Sequence, residues 1–383
     1  MEMSRIVCAG VVLVMMYGGA FAAEGATVVE HVMVYDEPGR FGGWPANHGI
    51  WSWGDEILVG FSAGYYKYQG PDRHAIDHDK PEEHLLARSL DGGKTWTIEN
   101  PAGKGVLVPQ GEALHGTAPP GFKETAAVDC PGGIDFTHPD FAMTVRMSSI
   151  HAGQSRFFYS TDRGRTWKGP FKLPVFGQPG IAARTDYVVN GQDDCMLFLT
   201  SAKSNGREGR PCCVRTTDGG KSWQFLGWIG PEPKGFAIMP ASVRLSETSI
   251  LTTVRCRRAR KRWIDAYLSE DNGKTWEFLN TPVPDAGEGN PPAMIMLKDG
   301  RICLTYGYRA EPFSICAKLS GDNGRTWGEK IVLRDDGGCR DIGYTRTVQR
   351  PDGKIVTAYY FNYGSHKDRF IAATIWDPGE VER

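Results

Sequence analysis

Three arginines stand at comparable places along this chain. Arg255 closes the apolar run Ile250-Leu251-Thr252-Thr253-Val254, Arg309 closes the run from Ile302 to Tyr308, and Arg40 lies just ahead of the first such run. A guanidinium is planar, permanently charged and donates in a fork that matches a carboxylate. Gathered at one point, these side chains would clamp an anionic ligand; Arg184 and Arg257 are reserves for the same role. The densest ionisable stretch is Arg73-His74-Ala75-Ile76-Asp77-His78-Asp79-Lys80-Pro81-Glu82-Glu83-His84. It reads as a site for proton transfer, as a metal loop by its mixed His and Asp content, or as a solvated charged loop. Trp44-Pro45-Ala46-Asn47-His48 and Asp135-Phe136-Thr137-His138 place two more histidines at strand starts. His48 and His138 are acid/base candidates there, with Trp44 as an aromatic contact for a ligand; the alternative is a hydrogen-bonded structural histidine.

The elements that must position these residues repeat. The pattern S/T-x-D-x-G-x-T/S-W occurs at Ser89, Ser160, Thr216, Ser269 and Ser320, and its aspartates Asp91, Asp162, Asp218, Asp271 and Asp322 are 71, 56, 53 and 51 residues apart. A period of that size marks a repeat architecture. In each copy the Asp is expected to accept hydrogen bonds from the turn's own backbone, the Gly to take a positive φ, and the Trp to fold back as an apolar plug. These aspartates are therefore structural. A second motif, a strand start followed by a turn and an apolar strand, runs in phase with the boxes: it begins near residues 45, 133, 184, 240, 291 and 344. Six copies against five boxes predict an all-β, six-bladed propeller whose last unit, with the strand Phe370 to Trp376, lacks the box. The opening stretch Thr27 to Tyr35 could pair with that unit and close the ring, which would remove the sheet edges. Strand starts converge at one mouth of the central channel, where residues distant in sequence meet.

The repeated pattern is the Asp-box, and over residues 26 to 378 the chain resembles the sialidase (neuraminidase) superfamily of BNR-repeat proteins. That resemblance implies a retaining exo-glycosidase acting on a terminal acidic sugar, sialic acid by default. It implies an arginine triad for the sugar carboxylate, to which Arg255 and Arg309 correspond by position, with Arg40 as the third. It places the nucleophilic tyrosine at Tyr344, in Gly343-Tyr344-Thr345-Arg346, and the proton donor at Asp77 or Asp79. A neutral nucleophile suits an anionic substrate, but a phenol of pKa near 10 needs a base or a cationic neighbourhood. The family's activating glutamate falls on Met239, a departure for which Glu288 is the substitute candidate. That departure keeps two alternatives open: a glycosidase or polysaccharide lyase for another sugar, such as a uronic acid or deoxy sugar, and a non-catalytic glycan-binding propeller. None of the three requires a metal or organic cofactor.

Composition bounds the rest. The 383 residues carry 44 basic and 45 acidic side chains, a net charge of −1 that argues for neither nucleic acid nor an anionic membrane as partner. The expected partner is a glycan, and the chain is expected to act as a monomer. Arg5, the apolar run from Ile6 to Met16 and Ala20-Phe21-Ala22 read as a secretory leader over residues 1–22, with one domain over residues 23–383 in the periplasm or outside the cell. Beyond that leader stand Cys130, Cys195, Cys212, Cys213, Cys256, Cys303, Cys316 and Cys339, which permit disulfides but fit buried thiols within strands equally well.

Overall fold

The computed structural model describes residues 25–109, 111, 114–122, 125–364 and 366–380; the expected leader lies outside them. The chain is almost wholly β, and its strands pair as a series of antiparallel meanders. The first contains Arg40–Gly43, Ile50–Trp53, Glu56–Tyr65, Glu83–Ser89 and Thr97–Glu99. The second contains Ala142–Arg146, Arg156–Ser160 and Lys168–Lys172. Next come Ile181–Ala182 and Tyr187–Gly191 with Asp194–Ala202, Glu208–Thr216 and Gln224–Trp228. Phe236–Arg244, Ile250–Arg258, Lys261–Ser269 and Glu277–Val283 follow, then Ala293–Met296, Ile302–Tyr308, Phe313–Ser320 and Ile331–Gly337. The last meander, Gly343–Gln349, Ile355–Tyr363 and His366–Asp377, takes its outer strand from the opposite end of the chain. Thr27–Tyr35 lies antiparallel on His366–Asp377, so the opening strand covers the edge that the sequence left it to cover.

Each box is a bracket built from its own residues. At the fourth, Ser269 Oγ donates to Asp271 Oδ1 (2.9 Å) and accepts from Gly273 N (2.8 Å). The same carboxylate accepts from Lys274 N and Thr275 N and from Thr275 Oγ1 (2.6 Å), while Trp276 Nε1 donates to Gly273 O (3.0 Å). Most donors of the turn are satisfied locally, and Asn272 N reaches across to Thr248 O (2.9 Å), tying the bracket to the neighbouring hairpin. The box glycine has a second job. A Cβ on Gly273 would lie 2.6 Å from the Met196 methyl of the preceding meander, one on Gly164 2.4 Å from Leu58, and one on Gly324 2.5 Å from Leu251. Each bracket thus seats on its neighbour at a distance only hydrogen allows.

The core is divided in the same way. Leu58 and Leu86 of the first meander pack with Phe158 and Trp167 of the second; Met196 and Phe198 pack with Ile250 and Val254; Leu251 and Ile264 pack with Leu304 and Tyr306. The last meander packs on the first, through Val356 and Tyr360 against Phe61 and Leu85. Each wedge lies between consecutive meanders, so truncating one of these side chains to Ala opens a cavity worth about 2–5 kcal/mol at a single interface. Among the described residues no disulfide forms: the eight cysteines are free, and all but Cys339 are buried.

Candidate active site

Three of the non-glycine residues with left-handed backbones are Trp44 (φ 57°), just ahead of the short helix Pro45–His48, Met239 (φ 54°), at the irregularity within Phe236–Arg244, and Tyr344 (φ 51°), at the start of Gly343–Gln349. Such a conformation costs a bulky residue roughly 1–3 kcal/mol and persists only where its surroundings impose it. At Tyr344 the imposing group is Asn290, fully buried, whose Oδ1 accepts from Tyr344 N (2.7 Å) and whose Nδ2 donates to Ile342 O (2.9 Å). The two bonds clamp the segment Ile342-Gly343-Tyr344 from both sides.

The Tyr344 phenol lies among guanidiniums. Arg255 Nη1 donates to its hydroxyl (3.3 Å), and the Arg309 guanidinium stands 5.3 Å from its ring centroid. Burial pushes the hydroxyl's pKa up, but the charges of Arg255, Arg309 and Arg184 outweigh that and hold it below the ordinary phenol value. Arg309 is braced by Ile342 O (2.9 Å) and by the Tyr360 hydroxyl. Arg255 Nε is buried without a hydrogen-bond partner, a donor left over for a ligand. Met239 packs with Ala46, Ile238, Phe236 and Tyr344, so the place where a base would stand beside the phenol is apolar.

A histidine faces this group. His74 Nδ1 donates to Asp341 Oδ1 (2.6 Å), and its ring lies 5.1 Å from Trp44 and 6.5 Å from Tyr344. Asp341 is 2% exposed and accepts also from Ala75 N, the Tyr360 hydroxyl (2.8 Å) and Arg369 Nε. Burial opposes its charge; His74, Arg369 and Arg309 more than compensate and hold the carboxyl far below its usual range. The arrangement fixes one nitrogen of His74 and leaves Nε2 for proton transfer.

Beside the mouth is a second polar cluster. Arg146 Nη1 donates to Nδ1 of both His48 and His84, so each ring must carry its proton on Nε2. His48 Nε2 then donates to Ser62 Oγ (3.1 Å). Burial would raise the pKa of Glu82, but hydrogen bonding and attraction from His84, the charge of His115 and the Ser62 hydroxyl bring it to about 2. Its carboxylate also accepts from His115 N (2.6 Å) and Gly116 N (3.1 Å). This anchors the loop that stacks His115 on Trp44, ring centroids 4.0 Å apart. Among the described residues no three His, Cys, Asp or Glu side chains gather as metal ligands.

Residues 141–357 match the family model of the BNR repeat-like domain. The chain belongs to that family. No curated protein matches this BNR-repeat protein in sequence. Several solved structures share its fold. A Dyadobacter fermentans protein of unknown function superposes with a TM-score of 0.69 at 19% identity, over 92% of this chain and 99% of that one. The NanB sialidase of Streptococcus pneumoniae gives 0.58 at 12% identity, over 90% and 70%. The α-L-arabinofuranosidase Arb93A of Fusarium graminearum gives 0.59 at 13%, over 93% and 99%. The BNR-repeat protein therefore has a sialidase-like β-propeller fold.

Within it, Arg255, Arg309 and Tyr344 meet. The charge of Arg184 also acts on the phenol, but its guanidinium pairs with Glu208 and donates from Nε to Asn47 Oδ1 (3.1 Å). Arg40 donates to Gly64 O (2.7 Å) and pairs with Glu83 (2.9 Å) beside the Tyr65 ring. In the ionisable loop it is His74 whose ring reaches Tyr344; Asp77 and Asp79 both bind Lys67, and Asp79 is 84% exposed. Glu288 pairs with Arg340 (2.7 Å). His48 and Trp44 are buried beneath the mouth, and His138 Nδ1 accepts from Asp140 N within a turn. Sequence reasoning missed His74, Asp341, Asn290 and the Glu82–Arg146 cluster. Their one sequence signal was position: His74 and Glu82 lie in the ionisable loop, and Asp341 three residues before Tyr344.

Proposed function

We propose that this BNR-repeat protein is an exported, monomeric glycosidase that releases a terminal acidic sugar, and that its meanders are six blades around one channel. The observation that carries the reading is a phenol beside two guanidiniums, Arg255 and Arg309, with an apolar side chain in place of a base. Arg255 and Arg309 hold the sugar carboxylate, with the charge of Arg184, itself paired with Glu208, acting on the same site. Tyr344 in its phenolate form, which the same cations favour, attacks the anomeric carbon as the glycosidic bond breaks, and His74 in its imidazolium form, oriented by Asp341, gives its Nε2 proton to the leaving oxygen. His74 then takes a proton from water, which displaces the tyrosine and frees the sugar. With Met239 where a base would stand, the cations take over the activating role. The likeness to a sialidase supports sialic acid as the default sugar; the likeness to an arabinofuranosidase supports a different one. The wedge between the last and first meanders supports the closed ring, and the apolar run at residues 6–16 supports export.

One observation favours a second reading. A cation-activated tyrosine beside a histidine also suits elimination from a uronate. One group would take the proton next to the carboxylate and the other would protonate the leaving oxygen, leaving a carbon–carbon double bond. The deciding assay offers the purified protein methylumbelliferyl α-sialoside and the corresponding glucuronide, with Tyr344→Phe and His74→Ala alongside. Fluorophore release that falls about 100-fold or more in Tyr344→Phe is expected. No release, with a polyuronate gaining the ultraviolet absorbance of an unsaturated sugar, would replace hydrolysis by elimination. Turnover of neither kind sinks both.

A further inference from the structure

The mouth does not end at Arg309 and Asp341. Those two residues also wall an open cavity of about 390 Å³ that runs outward past Tyr68, Arg73 and Arg340. Through Tyr68, Cys339 and Arg369 it continues into a second hollow of about 400 Å³ that reaches Lys367. Each volume is in the range of a small-molecule site. The groove holds five cations (Arg73, Arg309, Arg340, Arg369, Lys367) against three carboxylates (Glu288, Glu311, Asp341). Two of those cations are already engaged, Arg340 with Glu288 and Arg369 with Asp341. Arg73 is exposed and has no ion-pair partner among the described residues. Tyr68 is 66% exposed, an aromatic face left open to water beside that charge. An uncovered aromatic with a free guanidinium, contiguous with a reaction site, has the features of a ligand subsite.

We propose that this groove binds a further acidic sugar unit, its ring against Tyr68 and its carboxylate on Arg73. The substrate is then an acidic oligosaccharide and not a lone acidic sugar on a neutral carrier. The inference rests on the reading of the mouth as a glycan site, yet it is measured apart from turnover. Calorimetry with the Tyr344→Phe protein would compare galacturonate oligomers and α-linked sialic acid oligomers of one to four units. Affinity in one series is expected to rise about tenfold or more from one unit to two. Tyr68→Ala with Arg73→Ala should erase that rise and leave single-unit affinity unchanged, thermal unfolding serving as the check that the variant is folded. Equal affinity at every length, a rise that survives the double variant, or binding of neither series overturns the proposal. Release from the single-unit fluorogenic substrates reports on the mouth alone, so the two readings fail separately.

Discussion

Tyr344 sits in a backbone conformation it would not choose, with its hydroxyl beside cations that lower its pKa. A lowered phenol pKa means that the phenolate appears at lower pH than it would from an ordinary tyrosine near 10. Ultraviolet difference titration should show a first phenolate step that is missing in Tyr344→Phe and moves to higher pH in Arg255→Met. A carboxylate ligand that occupies the guanidiniums should move it up as well, because the bound anion cancels the charge that lowered it. A wild-type titration identical to that of Tyr344→Phe would refute this electrostatic account. At this scale the sequence was half legible. Arg255, Arg309 and Tyr344 could be placed because each ends or begins a strand in a recognisable repeat. The His74–Asp341 pair could not, because its members are 267 residues apart and meet only through the fold. Asp77 and Asp79 drew attention as carboxylates in the right loop, but Lys67, ten residues upstream of Asp77, satisfies both.

The boxes were legible because the hydrogen bonds of their aspartates span at most four residues. That locality makes a sharp prediction for the element. Asp271→Ala removes the acceptor of four donors in a half-exposed turn and should cost about 1–2 kcal/mol, read as a lower midpoint in urea. Activity per folded molecule should not change, since Asp271 touches only its own bracket. A loss of activity at unchanged stability would mean that the boxes do more than lock hairpins. The register irregularity between Ile238 and Ala241, which turns Met239 toward Tyr344, could not be read from the sequence. A bulge depends on which strand lies opposite, and that is decided by tertiary pairing.

For the whole molecule, closure rests on Thr27–Tyr35. Removing residues 25–35 uncovers one edge of His366–Asp377 and forfeits the burial of Val32, Val34 and Tyr35, each worth about 1.5–3 kcal/mol. The truncated chain should unfold at a lower temperature and associate through its bare edge, seen as higher-mass species in size exclusion. A monomer of unchanged stability would show that the ring closes without this strand.

The seats of the box glycines also set an order of assembly. Gly164 rests on Leu58, Gly220 on Ile134, Gly273 on Met196 and Gly324 on Leu251, all residues that precede them in the chain. Gly93 alone rests on a later residue, Val356. During synthesis, four brackets therefore find their footing already made as they emerge. The first waits, together with the opening strand, until nearly the whole chain has left the ribosome. The Arg255–Tyr344 and His74–Asp341 contacts depend on that same late stretch, so these groups meet only after residues 341–344 have been made.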